Sequence, residues 1–435
     1  MNPERPRPTV SCHAGAAVFV LLLMLGGVAR LGLAQDPSSR APEVFDRFAG
    51  PVVNIEVLDV QSDVKASTAT GFFVSPRGHL VTNYHVIADH VHKPNRYRVV
   101  HVDGDGRNPL RVLSIDVVHD LAILQSDTSA QEYFDLGPVD PPQGTRLYSM
   151  GYPLDLGITI VEGTYNGLLE HSLYQKIHFT GSLNPGMSGG PAITRDGRVV
   201  GVNVSTYGNQ LSFLVPVHRV LALLTPTLAP DFRPASDLLE VVRQQLLEHQ
   251  AAYVGELMSD SLPTVRLGRY RAPTKPAAFF NCWASTSRGE EKPYATVDHQ
   301  CSSDDYVFLW SGHSSAIIQF FHRMLTSDEL NRYRFHQLYT NEFRRNAFWS
   351  GGEKEDVTPF RCNDGTVRRE GATVRVVLCL RRYRKLKDLH DAVFKAAALG
   401  DGNSGMETTL MLSGVTFENA TRVARHYLEG ISWAE

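Results

Sequence analysis

The chain of 435 residues lacks several features, and each lack excludes a class of function. It has no excess of positive charge. Its 43 Lys and Arg stand against 46 Asp and Glu, a net charge of −3, so no global basic field draws in nucleic acid. Beyond residue 28 no apolar run is long enough to cross a bilayer as a helix. No Cys-x-x-Cys pair is present, which removes the usual zinc spacing, and neither a metal nor a cofactor is implied. There is no internal repeat and no low-complexity tract. The basic clusters Arg368-Arg369 and Arg381-Arg382-Tyr383-Arg384-Lys385 are short and read as solvated faces of strands or turns.

What remains is ordinary globular composition, with 43% hydrophobic and 20% charged residues, in a chain too long for one core. The first 34 residues read as a secretory signal peptide. Arg5 and Arg7 precede a short apolar run from Ala16 to Val28, and Gly32-Leu33-Ala34 offers small residues before Gln35. An uncleaved N-terminal anchor is the rival reading. Cysteine usage agrees with export. Cys12 falls in the leader, and Cys282, Cys301, Cys362 and Cys379 form an even set in the C-terminal half, as disulfides would. Three connectivities are open. Cys282–Cys301 with Cys362–Cys379 is favoured because both close short loops, and a zinc site is the lesser alternative.

The chemistry concentrates in three segments. Asn184-Pro185-Gly186-Met187-Ser188-Gly189-Gly190-Pro191 sets a serine in a tight glycine loop that opens onto an apolar strand. Gly186 can adopt positive φ, and the N–H groups of Gly186 and Ser188 can then converge on one oxyanion site. Thr82-Asn83-Tyr84-His85-Val86 places His85 where a predicted strand ends. His119-Asp120-Leu121-Ala122-Ile123-Leu124 places Asp120 at the mouth of an apolar strand. A serine nucleophile needs a base, and the base needs an orienting acid. Ser188, His85 and Asp120 are therefore the candidate catalytic residues, with Gly186 and Ser188 as the oxyanion hole.

Together the three segments resemble the trypsin-like serine proteases, most closely the HtrA/Deg-type branch. The resemblance rests on Thr-Asn-x-His-Val, Asp-Leu-Ala-x-Leu and Asn-Pro-Gly-x-Ser-Gly-Gly-Pro in that order, and it covers residues 45–228. It implies a mainly β fold of two six-stranded antiparallel barrels, polypeptide substrates, a bacterial periplasm or secretion, and assembly as a homo-oligomer. Two departures stand out: Met187 and Tyr84 occupy positions where the pattern often has Asn. In such enzymes the residue six before the nucleophile lies at the base of the specificity pocket. Here that residue is Ser182, with Val204 and Thr206 lining the same pocket, so cleavage after small or medium apolar residues is expected.

Strand signals with Gly, Pro, Asn and Asp between them run from Val52 to Val215, and Val217–Leu224 reads as a closing helix. Residues 235–258 form a predicted linker helix whose stripe includes Leu238, Val242, Leu246 and Ala252. Residues 262–435 read as a disulfide-stabilised α+β accessory domain with no Gly-Leu-Gly-Phe-like loop. Within it, Thr326–Glu329 has capping-box spacing for a helix reaching toward Phe348, and Asp391–Ala398, rich in alanine, reads as a short helix. His313, His322, His336 and His390 are scattered and read as polar surface or capping residues. The expected function is an exported serine endopeptidase of protein quality control. The alternative is a chaperone-like binding protein that keeps the fold with weak or absent catalysis.

Overall fold

The computed structural model describes residues 40–433 apart from 207–209, 260, 289–291, 346–350, 370–371 and 400–401. The leader with its charged start, apolar run and small residues lies outside the described residues, as does Phe348. A short helix, α1 (Ala41–Phe48), precedes the first barrel. That barrel closes as β1-β2-β3-β6-β5-β4, formed by β1 (Val52–Asp59), β2 (Lys65–Phe73), β3 (His79–Thr82), β4 (Tyr97–Asp103), β5 (Gly106–Asp116) and β6 (Leu121–Ser126). The second closes as β10-β11-β12-β9-β8-β7, from β7 (Arg146–Gly151), β8 (Thr159–Leu168), β9 (Ile177–Phe179), β10 (Pro191–Ile193), β11 (Val199–Thr206) and β12 (Ser212–Pro216). Closure leaves neither barrel with an unpaired edge. The expected pair of six-stranded antiparallel barrels is thus present.

One helix is inserted where only a strand end was expected. α2 (Tyr84–His92) follows β3 directly and carries His85 in its first turn. α3 (Val217–Thr227) closes the second barrel. α4 (Leu238–Leu257) starts at Asp237, whose side chain accepts the Glu240 N–H. Its buried face is Val242, Leu246, Gln250, Tyr253, Val254 and Leu257, and Ala252 is exposed, so the predicted stripe shifts at its C-terminal end. The helix belongs to two cores. Val242 and Leu246 join the core that the first barrel shares with α2 and with Leu309, Leu386 and Leu389, whereas Tyr253, Val254 and Leu257 pack into the core of the C-terminal sheet.

That sheet has seven antiparallel strands in the order β15-β16-β19-β23-β22-β21-β20. They follow the small strands β13 (Thr264–Leu267) and β14 (Tyr270–Pro273), and comprise β15 (Asn281–Arg288), β16 (Ala295–Ser302), β19 (Ile318–Thr326), β20 (Arg361–Arg369), β21 (Ala372–Arg382), β22 (His390–Leu399) and β23 (Ser404–Val415). A separate hairpin, β17 (Val307–Trp310) with β18 (His313–Ser315), projects between β16 and β19. β24 (Ser432–Trp433) joins β14. Disulfides link Cys282 to Cys301 and Cys362 to Cys379, each between directly opposed residues. Each therefore ties an edge strand, β15 or β20, to its inner neighbour. His299 lies beside the first pair, but both thiols are already bonded to each other.

Four expectations fail in this half. Residues 391–398 are strand β22, not helix. Ala392, Ala396 and Ala398 pack in the core shared with α6 (Phe417–Glu429), and Ala397 on the opposite face packs with Phe335 and Tyr339 of α5 (Arg332–Arg345). Small side chains let both helices approach a strand covered on each face, and this outweighs the helical propensity of alanine. The helix expected from the Thr326–Glu329 box begins instead at Arg332. Asn331 Oδ1 accepts the Arg334 N–H, while the Ser327 hydroxyl forms a turn with the Glu329 and Leu330 amides. Arg381 is not solvated. It donates to Asp391 at 2.6 Å, and both are buried. His313 and His322 are buried too, and the His322 ring lies parallel to Tyr427 with Nε2 bonded to the Pro273 carbonyl.

Candidate active site

Asp120 does three things at once. Its backbone is in the left-handed region at φ 57°, a conformation aspartate tolerates better than most residues. The Asn83 side-chain amide donates to its carbonyl at 2.8 Å and holds that turn. Its Oδ1 accepts the His85 backbone N–H at 2.8 Å, satisfying one of the donors left open in the first turn of α2. Its Oδ2 meets His85 Nδ1 at 2.6 Å. A carboxylate only accepts, so Nδ1 carries the proton and Nε2 is the free lone pair. Burial alone would lower the imidazole pKa. The Asp120 charge and hydrogen bond reverse this and raise it above the ordinary histidine value.

The serine loop is held by two buried polar residues. Thr70 of β2 donates its N–H to the Ser188 carbonyl at 2.9 Å and its hydroxyl to the Gly186 carbonyl at 2.7 Å. The Thr70 carbonyl in turn accepts from Thr82 Oγ1, three residues before His85. Asn203 of β11 donates to the carbonyls of Met187 and Met150, accepts from Ser149, and takes the Gly189 N–H on its own carbonyl. The loop is thus tied to both barrels. Two glycines are required by this tie. Gly186 has φ 97°, and a Cβ there would lie 2.3 Å from the Tyr152 carbonyl; Gly189 has φ 84°, and its Cβ would lie 2.2 Å from Thr70 O. Met187, Gly189 and Gly190 donate their N–H groups within this scaffold. Among the described residues, neither Gly186 nor Ser188 gives its N–H to a protein acceptor. Met187 points into the core with Leu147, Phe179 and Leu214, away from the loop surface.

Beside the His–Asp couple lies a cleft of about 260 Å³. His85 and Asp120 form one side and Val204 another, together with Val117, Val118, Val215 and Tyr174. Ser182 and Thr206 are exposed and stand outside this lining. Thr206 neighbours Ser212, which donates its hydroxyl to Thr206 Oγ1 at 3.4 Å and accepts the N–H of Leu183, the residue after Ser182. Three features of the region carried no sequence signal. Thr70 and Asn203 lacked one because burial of a polar strand residue is not written in its neighbours. The third is a second His–Asp contact in the cleft: His119 Nδ1 meets Asp116 Oδ2 at 2.7 Å, and the Asp116 carboxylate also accepts the His119 N–H. Its spacing of three residues marks it as a local turn lock.

Two closed barrels with a His–Asp couple beside a glycine-rich serine loop define the trypsin-like fold. Comparison with known proteins agrees. Residues 69–202 match the trypsin-like peptidase domain. The mitochondrial serine protease HTRA2 of Bos taurus is 31% identical over 236 residues, 48% of this chain and 50% of that protein. A probable periplasmic DegP-like serine endoprotease of Chlamydia pneumoniae is 31% identical over 169 residues, 38% of this chain and 33% of that protein. The chain therefore spans a third to a half of the length of these relatives. The crystal structure of the Rv3671c protease from M. tuberculosis in its active form aligns with a TM-score of 0.38 at 22% identity, over 45% of this chain and 87% of that one. Residues of the barrel region are similar to the trypsin-like peptidase domain and to HtrA and DegP-like serine proteases. No described helix is long and apolar enough to cross a membrane.

Proposed function

We propose that this protein is an exported serine endopeptidase that acts through an acyl-enzyme. His85 Nε2 takes the proton of the Ser188 hydroxyl as its oxygen attacks the peptide carbonyl carbon. The Gly186 and Ser188 N–H groups receive the oxyanion. Asp120 keeps the imidazole in the right tautomer and balances its charge. His85 then protonates the departing amine, and a water molecule repeats the sequence on the ester to release the second product. The substrate is an unfolded or extended polypeptide, with Ser182, Val204 and Thr206 about the side chain before the cut bond. Polypeptide processing beyond the cytoplasm, within a homo-oligomer, fits the same reading.

The observation that carries the proposal is the double contact of Asp120 with His85, at the backbone N–H and at Nδ1. His119 and Asp116 make the same two contacts within one turn, whereas the His85–Asp120 pair joins segments 35 residues apart in a protein whose serine loop leaves the Gly186 and Ser188 amides unused among the described residues. The test is labelling of the full chain with a fluorophosphonate, together with casein digestion. The wild type is expected to be labelled and to digest casein, and Ser188→Ala to do neither. Labelling that survives Ser188→Ala would remove Ser188 as the nucleophile. An unlabelled wild type that still suppresses client aggregation would favour the binding-protein alternative.

A further inference from the structure

The C-terminal half reaches into the cleft. Its hairpin strand and the residues just before it, Asp305 to Ser311, cross from one barrel to the other. At one end Asp305 accepts from Ser172 Oγ and the Leu173 N–H, both at 2.9 Å, and from Lys176 Nζ at 2.8 Å, all on the loop between β8 and β9. At the other end the Leu309 carbonyl accepts from the buried Tyr84 hydroxyl at 3.0 Å. Ser311 donates its N–H and hydroxyl to Asp89, and Trp310 stacks on His92 at 4.0 Å. Tyr84, Asp89 and His92 all belong to α2, the helix that carries His85.

Between these fastenings, Tyr306, Val307 and Phe308 line the cleft shared with His85 and Asp120. The Phe308 ring stands edge-on to the His85 imidazole at 6.1 Å. Tyr306 keeps 58% of its surface exposed even though it lies at the cleft wall. Lys176, the cation at this site, is already neutralised by Asp305. Apart from the His85–Asp120 couple, His119 and Gln175, the rest of the lining is valine and aromatic, so that part of the space favours an uncharged, bulky side chain.

We infer that Tyr306 and Phe308 of the C-terminal half are specificity-determining residues, forming the wall of a subsite for an apolar or aromatic side chain of an extended polypeptide lying against His85. The inference rests on the protease reading for its biological sense, but its test reads binding, so the two fail separately. An edge-on aromatic wall recognises a flat or branched apolar group through burial and ring contacts. Glycine at the same substrate position fills none of it.

The test uses the full chain carrying Ser188→Ala, so that peptides bind without turnover. Matched peptides differ only in one residue near the scissile bond, Phe or Leu against Gly, and Kd is read by fluorescence anisotropy. The apolar peptides are expected to bind about 10-fold or more tightly than the glycine peptide. Adding Tyr306→Ala and Phe308→Ala together should abolish that preference, and Tyr306→Ala alone, at an exposed side chain, should reduce it. Tyr333→Ala, an exposed aromatic outside the cleft lining, is expected to leave it intact. The inference is overturned if no apolar preference exists, if it survives the double substitution, or if both peptides weaken equally.

Discussion

The barrels and the C-terminal sheet are built from the same antiparallel pairing, yet they present opposite problems to the residues that make them. The barrels close on themselves, so every edge is taken. The seven-stranded sheet stays open, and its two edge strands are each tied inward by a disulfide. In the barrels the buried polar groups Thr70 and Asn203 support a loop that faces outward. In the sheet the buried polar groups Arg381, Asp391 and Tyr383 satisfy one another in the interior. The first arrangement leaves a few backbone donors unused at the surface, which suits chemistry. The second pairs a buried carboxylate with a guanidinium and a phenol, which suits a scaffold. α4 and the 305–311 segment join the two regions, so neither is a detachable appendage.

Substitutions separate these roles, and the largest effect belongs to the barrels. Asp120→Asn keeps the size of the side chain but allows the wrong imidazole tautomer, and a loss of about 10⁴-fold in kcat is expected with little change in melting temperature. An unaltered kcat would mean that the couple serves structure alone. Arg381→Ala should act in the opposite way. It strands the buried Asp391, costing about 3–5 kcal/mol, read as a lower denaturation midpoint with labelling of Ser188 preserved in the folded fraction.

Tyr84→Phe probes the join between the regions. It removes the hydrogen bond to the Leu309 carbonyl and leaves that group buried, at about 1–3 kcal/mol. If the join matters to the site, the variant should also lower kcat/KM; if stability falls and kinetics do not, the contact is only structural. The gentlest test is pH. His85 acts as a base when neutral, and Asp120 raises its pKa, so kcat/KM should rise with pH through a midpoint above the usual histidine value of about 6.5. For stability the sign is reversed. The charged pair contributes fully below the unfolded histidine pKa, and its contribution fades as pH climbs through the raised folded value. A kinetic midpoint below 6.5 would contradict the electrostatic reading.

Much of the barrel half was legible because its chemistry is written in short segments. A serine in a glycine loop, a histidine after a strand and an aspartate before one are local patterns. The turn residues between the strands mark their ends. α2 was not legible, because Asn83-Tyr84-His85 begins a helix whose first turn is satisfied by Asp120, 35 residues away. In the C-terminal half spacing favoured the two short-loop disulfide pairs among three connectivities, and the fold has them, whereas β22 was not legible. Its alanines favour a helix in isolation, and only the helices packed on both faces make a strand the better state. His322 and Arg381 were misjudged for the same reason, since the partners that make their burial tolerable, Pro273 and Asp391, are invisible until the sheet is assembled.

What the amino-acid order determines here is local: where strands stop, which loop can bend through positive φ, and which side chains bear a proton or a lone pair. What only the folded chain decides is company. Asp120 meets an imidazole, Thr70 grips a distant loop, and aromatics from beyond residue 300 reach the helix that carries His85. Those meetings depend on burial shared among segments far apart in sequence, and no single segment holds the free energy that selects them.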